Sequence, residues 1–309
     1  MGPPILLIGG TTASGKSALA LRLAEAAGAW IVNADAQQLY RHLPRLTAQP
    51  SAADLRTVPH RLYGILPPET ATSVALWLDR LEPVLKEARA HGTPLILVGG
   101  TGLYLKALLH GLAPVPPIPA AVRERLRGLP LPAPELHRLL AAKDPIMAAR
   151  LHPTDRQRIL RALEVVEATG RSLASFQQEP HRRLPLAGPV RGIALLPDRS
   201  LLHARIQARL ERMLEEGVIE EVAALWRLRP DLRDLPVARV HGLLPLLDRL
   251  EGRISLEQAK ERILIQTRQY AKRQSTFFRH KLPELRPVRA FGDEPPPSLV
   301  DSLLRALGR

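Results

Sequence analysis

Eight residues near the N-terminus, Gly10-Thr11-Thr12-Ala13-Ser14-Gly15-Lys16-Ser17, satisfy the pattern G-x-x-x-x-G-K-[ST]. Such a loop binds phosphate. Its glycines let the backbone curl so that successive N–H groups face an anion, and the helix that follows adds its dipole. Lys16 supplies a point charge, and the Ser17 hydroxyl is the type of group that holds Mg²⁺. The context is right as well: Ile5 to Ile8 read as a buried strand before the loop, and Leu19, Leu21, Leu23 and Ala26 follow in a helix-length run. A chance glycine-rich turn is the alternative, and strand, GKS and helix together argue against it.

Two more strand ends carry groups that could act with this loop. Trp30 to Asn33 reads as a strand that runs into Ala34-Asp35-Ala36-Gln37-Gln38-Leu39-Tyr40. In an open parallel sheet the carboxyl ends of the strands face the ligand crevice, so Asp35 is expected near the phosphate loop. It reads as a general base or an indirect Mg²⁺ ligand, or else as the cap of the next turn. Pro94 to Val98 reads as a third strand and leads into Gly99-Gly100-Thr101-Gly102. Glycines there allow a ligand to approach the backbone, with Thr101 as a hydroxyl donor; the alternative is a tight turn in which Thr101 caps the helix Leu103 to Leu109.

The elements that must position these groups follow from pattern and composition. The Pro-rich segment Ala113 to Pro119 and the stretch Pro185 to Pro189 bracket three helical patterns, Ala120 to Arg127, Pro134 to Ala142 and Asp155 to Thr169. The chain is therefore expected to be an α/β protein. A phosphate-loop NTPase-like parallel sheet flanked by helices occupies residues 1–112 and 191–309, and an all-helical insertion occupies 113–190. A further strand, Gly192 to Leu196, and helices Arg199 to Glu216, Ile219 to Arg227 and Leu256 to Phe278 complete the core, with a short amphipathic helix after a Pro-rich stretch at the end.

Charge points to the partner. Lys and Arg number 44 against 30 Asp and Glu, a formal surplus of +14, and a field of that sign attracts a polyanion, most commonly nucleic acid. Residues 261–291 alone hold eight Lys or Arg against two Glu, interleaved with Tyr270, Phe277 and Phe278. Gln157, Arg158 and Arg161 share one face of their helix, and Leu160, Leu163 and Val166 share another. The absence of cysteine excludes a thiol nucleophile and thiolate metal sites. No long uncharged apolar run suggests a membrane span, so a cytoplasmic protein is expected.

Six blocks, taken in order, carry a family resemblance: GTTASGKS, NADAQQLY, Val58-Pro59-His60-Arg61, VGGTGLYLKALLHGL, DRQRILRALEV and TRQYAKRQSTFFR. Together they resemble the tRNA dimethylallyltransferases, also called tRNA isopentenyltransferases. The resemblance implies transfer of a dimethylallyl group from dimethylallyl diphosphate, with Mg²⁺, to N6 of the adenosine 3′ of the tRNA anticodon. It implies that Gly10 to Ser17 and Arg209 bind the donor diphosphate, that Lys16, Asp35, Thr101 and Arg209 act in catalysis, and that Ser17 holds the metal. It implies tRNA contacts by Asp35, Ala36, Gln37, Gln38, Thr101, Arg123, Gln157, Arg158, Ile159, Leu160, Arg161 and Arg239, in a monomer that grips the anticodon stem-loop with its insertion. Arg205 and Arg209, one turn apart, read as pointing inward together, or as a solvated stripe paired with Glu211 and Glu215.

The chain departs from the family pattern where Thr11 replaces the usual Pro, Ala36 a Ser, Gln49 a Lys, and Val240 to Pro245 a segment with an aromatic and a second basic residue. Rival readings are a phosphate-loop small-molecule kinase, a nucleic-acid-binding ATPase and an adenylate isopentenyltransferase. A kinase would need neither the helical insertion nor the basic C-terminal block; an ATPase shares the charge but should carry an acidic metal ligand at the end of an apolar strand, where only Asp35 stands; and the insertion disfavours the adenylate enzyme.

Overall fold

A computed structural model describes residues 2–309. Six strands form one parallel sheet: β1 (Ile5–Gly10), β2 (Trp30–Asn33), β3 (His60–Arg61), β4 (Leu95–Val98), β5 (Val190–Leu195) and β6 (Arg286–Val288). Their order is β3-β2-β4-β1-β5-β6. Parallel strands covered on both faces read as unbroken apolar runs, which is why β1 and β4 are buried along their whole length. Leu19 and Leu23 of the Lys16–Ala27 helix pack with Leu6, Ile8 and Ile96 of the sheet and with Leu299, Val300 and Leu303 of the C-terminal helix Pro297–Ala306.

The register decides where the chemistry can be. Ile8, Val98 and Asn33 lie side by side, so β4 and β2 end at one level and β1 runs two residues further, to Gly10 beside Leu195. The chains leaving them stay bonded: the Gly99 N–H donates to the Ile8 carbonyl at 3.1 Å, Ala34 to Val98 at 2.8 Å, and Thr101 to Ala34 at 3.3 Å. Only glycine permits this approach, because a Cβ on Gly99 would stand 2.1 Å from the Ala34 carbonyl.

The chain divides into two compact units, Met1–Leu109 with Leu184–Arg309, and His110–Arg183. The second unit holds the helices Ala120–Arg127, Ala133–Lys143, Pro145–Arg150, Arg156–Thr169 and Leu173–Gln178 around Leu126, Leu136, Leu140, Ile159 and Leu163. Two of these, Pro145–Arg150 and Leu173–Gln178, are additional to the three patterns read in the sequence. Residues 184–190 fall in the first unit, where the Ala187 and Pro189 carbonyls accept from the N–H groups of Gly2 and Ile5. The unit therefore starts and stops earlier than the 113–190 expectation.

Elements between Val58 and Pro94 position Asp35 from behind. The helix Val74–His91 starts at the Ser73 cap and carries Trp77, which is fully buried and stacked on Tyr104 at 4.8 Å between ring centres. Trp77 Nε1 donates to the Asn33 carbonyl at 2.8 Å, and the Asn33 side chain accepts from the Asp35 N–H at 2.7 Å. Trp77→Phe keeps most of the packing and removes one buried hydrogen bond. It is expected to lower stability by about 1–2 kcal/mol, read as a shift in the urea midpoint at unchanged slope.

Candidate functional site

The phosphate loop spans the end of β1 and the start of the Lys16–Ala27 helix. Gly10 and Gly15 have φ of 137° and 80°, conformations that a side chain would oppose. Ser14 Oγ donates to the Thr11 carbonyl at 2.8 Å, and the Lys16 ammonium donates to the same oxygen. Ser17 faces the cleft above the loop and is exposed.

Lys16 is a strongly perturbed cation. Withdrawal of its ammonium from water pulls its pKa down to about 8, the nearby Asp35 charge opposes this, and Arg209 adds to it. Arg209, on the helix Arg199–Glu215, reaches Thr12 Oγ1 at 3.3 Å, and its pKa is lowered by the same desolvation. Arg205 behaves differently from the inward pair read in the sequence. Its guanidinium is held by Asp293 and Glu294, while Glu211, one of the acids suggested for it, pairs with Lys260 at 3.0 Å.

Asp35 is fixed at both oxygens. Oδ1 accepts from the Gln37 N–H at 3.0 Å, in an Asx-type turn, and Oδ2 accepts from the Gly100 N–H at 3.2 Å. Each oxygen keeps acceptor capacity beyond these bonds. Thr101 Oγ1 accepts from the Ala36 N–H at 2.9 Å, so its hydroxyl is tied to the Asp35 segment and not to the helix it precedes.

Gln274, on the helix Leu256–Lys281, was not singled out in the sequence. It is buried, its Oε1 accepts from the Thr12 N–H at 2.8 Å, and its Nε2 donates to the Gly100 carbonyl at 3.0 Å. One side chain thus joins the phosphate loop to the turn that holds Asp35. The Tyr270 hydroxyl, one turn before it, bonds with Thr101, Gln37 and Gln274, and desolvation raises its pKa. His241 was also passed over: its ring lies 4.4 Å from that of Tyr270, and Nδ1 meets the Gln37 amide at 2.5 Å. Both residues stood inside blocks already read as basic or variable, and a single Gln or His carries no spacing signal.

Two recesses share Asp35, and a third opens beside the residues that follow it. The first is an open cleft over Thr12 to Ser17, with Asp35, Arg205, Arg209 and Arg212 on its walls. The second shares Thr12, Ala13, Asp35 and Arg209 with it but is walled by Leu46, Ile206, Leu210, Met213, Ile263 and Leu264. The third is mixed in character: Gln37, Thr101 and Arg239 share its walls with Ala36, Val240 and Tyr270. Gln38 lines the first cleft, where its amide donates to the Thr47 and Ala48 carbonyls and braces the loop.

The remaining residues expected to touch RNA lie in the second unit. Arg123, Gln157, Arg158 and Arg161 are exposed there. Arg161 lies 3.8 Å from the buried Glu164, which Arg127 also meets at 2.8 Å. Ile159 is fully buried in the core of that unit, so its side chain packs and does not reach a ligand; Leu160 is half-buried beside it. The inward face of this helix thus runs through Ile159, Ala162 and Leu163, turned from the Leu160, Leu163 and Val166 face read in the sequence.

Residues 38–281 match the family described as IPP transferase. The chain belongs to that family. It is 50% identical over 281 residues to a tRNA dimethylallyltransferase from Beijerinckia indica subsp. indica, covering 90% of this chain and 93% of that one. A tRNA dimethylallyltransferase from Methylocella silvestris is 51% identical over 282 residues, covering 90% and 92%. The crystal structure of the full-length tRNA isopentenylpyrophosphate transferase from Bacillus halodurans superposes with a TM-score of 0.69 at 30% identity, over 99% of this chain and 97% of that one. The parallel sheet flanked by helices is thus the fold of this enzyme family.

The Gln274 bridge makes a clear prediction. Gln274→Leu keeps the volume and strands two polar groups, the Thr12 N–H and the Gly100 carbonyl. It is expected to cost about 2–4 kcal/mol of stability and to lower kcat/KM by more than about tenfold, measured by urea unfolding and steady-state kinetics on the same samples.

Proposed function

We propose that this enzyme transfers the dimethylallyl group of dimethylallyl diphosphate to N6 of the adenosine immediately 3′ of a tRNA anticodon. The observation that carries the reading is the pair of recesses sharing Thr12, Ala13, Asp35 and Arg209: one offers a phosphate nest, the other an apolar wall. An allylic diphosphate needs both.

The diphosphate lies on the loop, with Lys16 and Arg209 stabilising the charge that develops as the allylic C–O bond breaks. The prenyl chain lies against Leu46, Ile206, Leu210, Met213, Ile263 and Leu264. The adenine enters by the recess of Ala36, Gln37, Thr101, Arg239 and Tyr270, turned out of the stacked anticodon loop. Its N6 attacks the allylic carbon, and Asp35, the carboxylate between the recesses, takes the N6 proton as the N–C bond forms. Arg123, Gln157, Arg158 and Arg161, exposed on the second unit, contact the stem-loop backbone. We take the enzyme to act as a monomer; no helix among the described residues is long and apolar enough to cross a membrane. We place the enzyme in the cytoplasm, with its tRNA substrate.

The residues present fit a Mg²⁺ that arrives with the diphosphate. Ser17 and Asp35 offer oxygen ligands in the cleft, and no group of three His, Cys, Asp or Glu among the described residues forms a cage of its own. When bound, the metal neutralises the leaving diphosphate.

Two outcomes test the reading. Incubation with tRNA and dimethylallyl diphosphate is expected to give an anticodon-loop adenosine heavier by one dimethylallyl group in nucleoside mass analysis, and Asp35→Asn to lower the single-turnover rate by about 10² or more with both substrates still bound. ATP-dependent phosphoryl transfer without that product would favour a kinase. The second outcome is a pH dependence. Lys16 titrates near 8 in the free protein, and a bound anion raises its pKa, so binding above pH 8 takes up a proton. Donor affinity is therefore expected to fall as pH rises past about 8, approaching tenfold per pH unit, with matching proton uptake in calorimetry across buffers.

A further inference from the structure

Residues 291–294 lie beyond the part of the chain that the family match covers, yet they close on the phosphate loop. The Gly292 N–H donates to the Ser14 carbonyl at 2.9 Å. The two segments approach too closely for side chains: a Cβ on Gly292 would stand 2.4 Å from the Gly15 carbonyl oxygen, and one on Gly15 would stand 2.5 Å from Asp293 Oδ1. Asp293 pairs with Arg205 at 2.5 Å, Glu294 lies 3.4 Å from the same guanidinium, and that guanidinium sits 3.8 Å from the centre of the Phe291 ring. Behind this contact, Leu299, Val300 and Leu303 are anchored in the core with Leu19 and Leu23.

A trans peptide unit is planar, with its C=O and N–H pointing in opposite directions. Fixing the Ser14 carbonyl on Gly292 therefore turns the Gly15 N–H of the same unit the other way, toward the cleft that Gly15 lines. Other polar groups of the loop are committed within the core: the Thr11 carbonyl accepts from Ser14 and Lys16, and the Thr12 N–H goes to Gln274. The direction of the Ser14–Gly15 unit is set from the C-terminal segment.

We propose that Arg205, Asp293, Phe291 and Gly292 form a clasp that orients the Ser14–Gly15 peptide and so sets the affinity of the loop for the diphosphate of its donor. This rests on the reading of the loop as the donor site. Arg205 and Asp293 are positioning residues. The charge of Arg205 is spent on Asp293 and Glu294, whereas Arg209, one turn on, reaches the loop itself.

Electrostatics alone makes the opposite prediction, which gives the test its power. Removing the Asp293 carboxylate beside an anion site and freeing Arg205 should tighten diphosphate binding. A clasp requires that it weaken. Calorimetric titration of full-length wild type, Asp293→Asn, Arg205→Met and the double variant with inorganic diphosphate is expected to show about tenfold weaker binding in each single variant and no further loss in the double. Asp293→Glu should recover most of the affinity, and Gly292→Ala, which leaves the charges in place, should weaken it in the same direction. In turnover, the donor KM of the Asp293 and Arg205 variants should rise while kcat moves less than about threefold, with tRNA affinity unchanged.

Asp293→Asn binding inorganic diphosphate as tightly as wild type, or tighter, overturns the clasp, and so do additive losses in the double variant. Dimethylallyl diphosphate titrated in parallel separates the two readings. Clasp-dependent binding of inorganic diphosphate by a protein that ignores dimethylallyl diphosphate would support the clasp and remove the donor assignment.

Discussion

The desolvated ammonium of Lys16 is the constraint around which the site is built. A cation drawn out of water must be met by fixed dipoles and charges, and those in turn must be held. The Thr11 carbonyl accepts from it, and Asp35 supplies the opposing charge. Asp35 is held by the Gly100 N–H, the Gly100 carbonyl by Gln274, and Gln274 also takes the Thr12 N–H, next to the residue from which the chain of bonds starts. The circuit closes on itself. Loosening any member releases the others, which is why a glutamine remote in sequence belongs to the site as much as the lysine does.

The same circuit explains why the neighbouring recesses differ in character. Departure of diphosphate from an allylic carbon concentrates negative charge at one end of the donor and leaves electron demand at the other. Cations are useful only at the first end. In the proposed reading Lys16 and Arg209 stand there, whereas the other end lies against Leu, Ile and Met side chains, with His241 and Tyr270 also on that wall. Asp35 borders both recesses.

Much of this was legible in the sequence, and the rest was not, for physical reasons. Strand-terminal motifs are local: GTTASGKS, the NAD segment and the Gly99-Gly100 turn announce themselves because tight backbone geometry needs glycine and chemistry needs Lys or Asp. The β2 strand and the Ala120–Arg127 helix were read to the residue, since alternating composition and Pro or Gly punctuation mark their ends. The helix Val74–His91 went unread: Pro83 stands in its interior, and a proline there reads as a break. Strand β3 is two residues long and exists only through its pairing with β2. Gln274 and Asp293 were invisible because Gln274 reaches Thr12 across 262 residues of chain and Asp293 reaches Arg205 across 88, through contacts that no local pattern encodes.

The departures from the family pattern can now be weighed by what each side chain touches. Ala36 meets Thr101 through its backbone N–H, a bond that any residue at that position can make, so the missing hydroxyl leaves the Asp35 segment intact. Gln49, where a lysine is usual, donates to the Tyr40 carbonyl and to Thr47 Oγ1, and so turns from a ligand-facing cation into an internal brace; Arg45 still brings a positive charge to the wall of the same cleft. His241 fills the segment that lost its aromatic, and its ring stacks near Tyr270 while its backbone N–H and Nδ1 hold both ends of the Gln37 amide. In each case a group that could have faced RNA is exchanged for one satisfied inside the protein, while Lys16, Asp35, Thr101 and Arg209 keep their partners. Under the proposed function, variation of this kind leaves RNA contact to surfaces that remain basic, the exposed Arg158 and Arg161 among them.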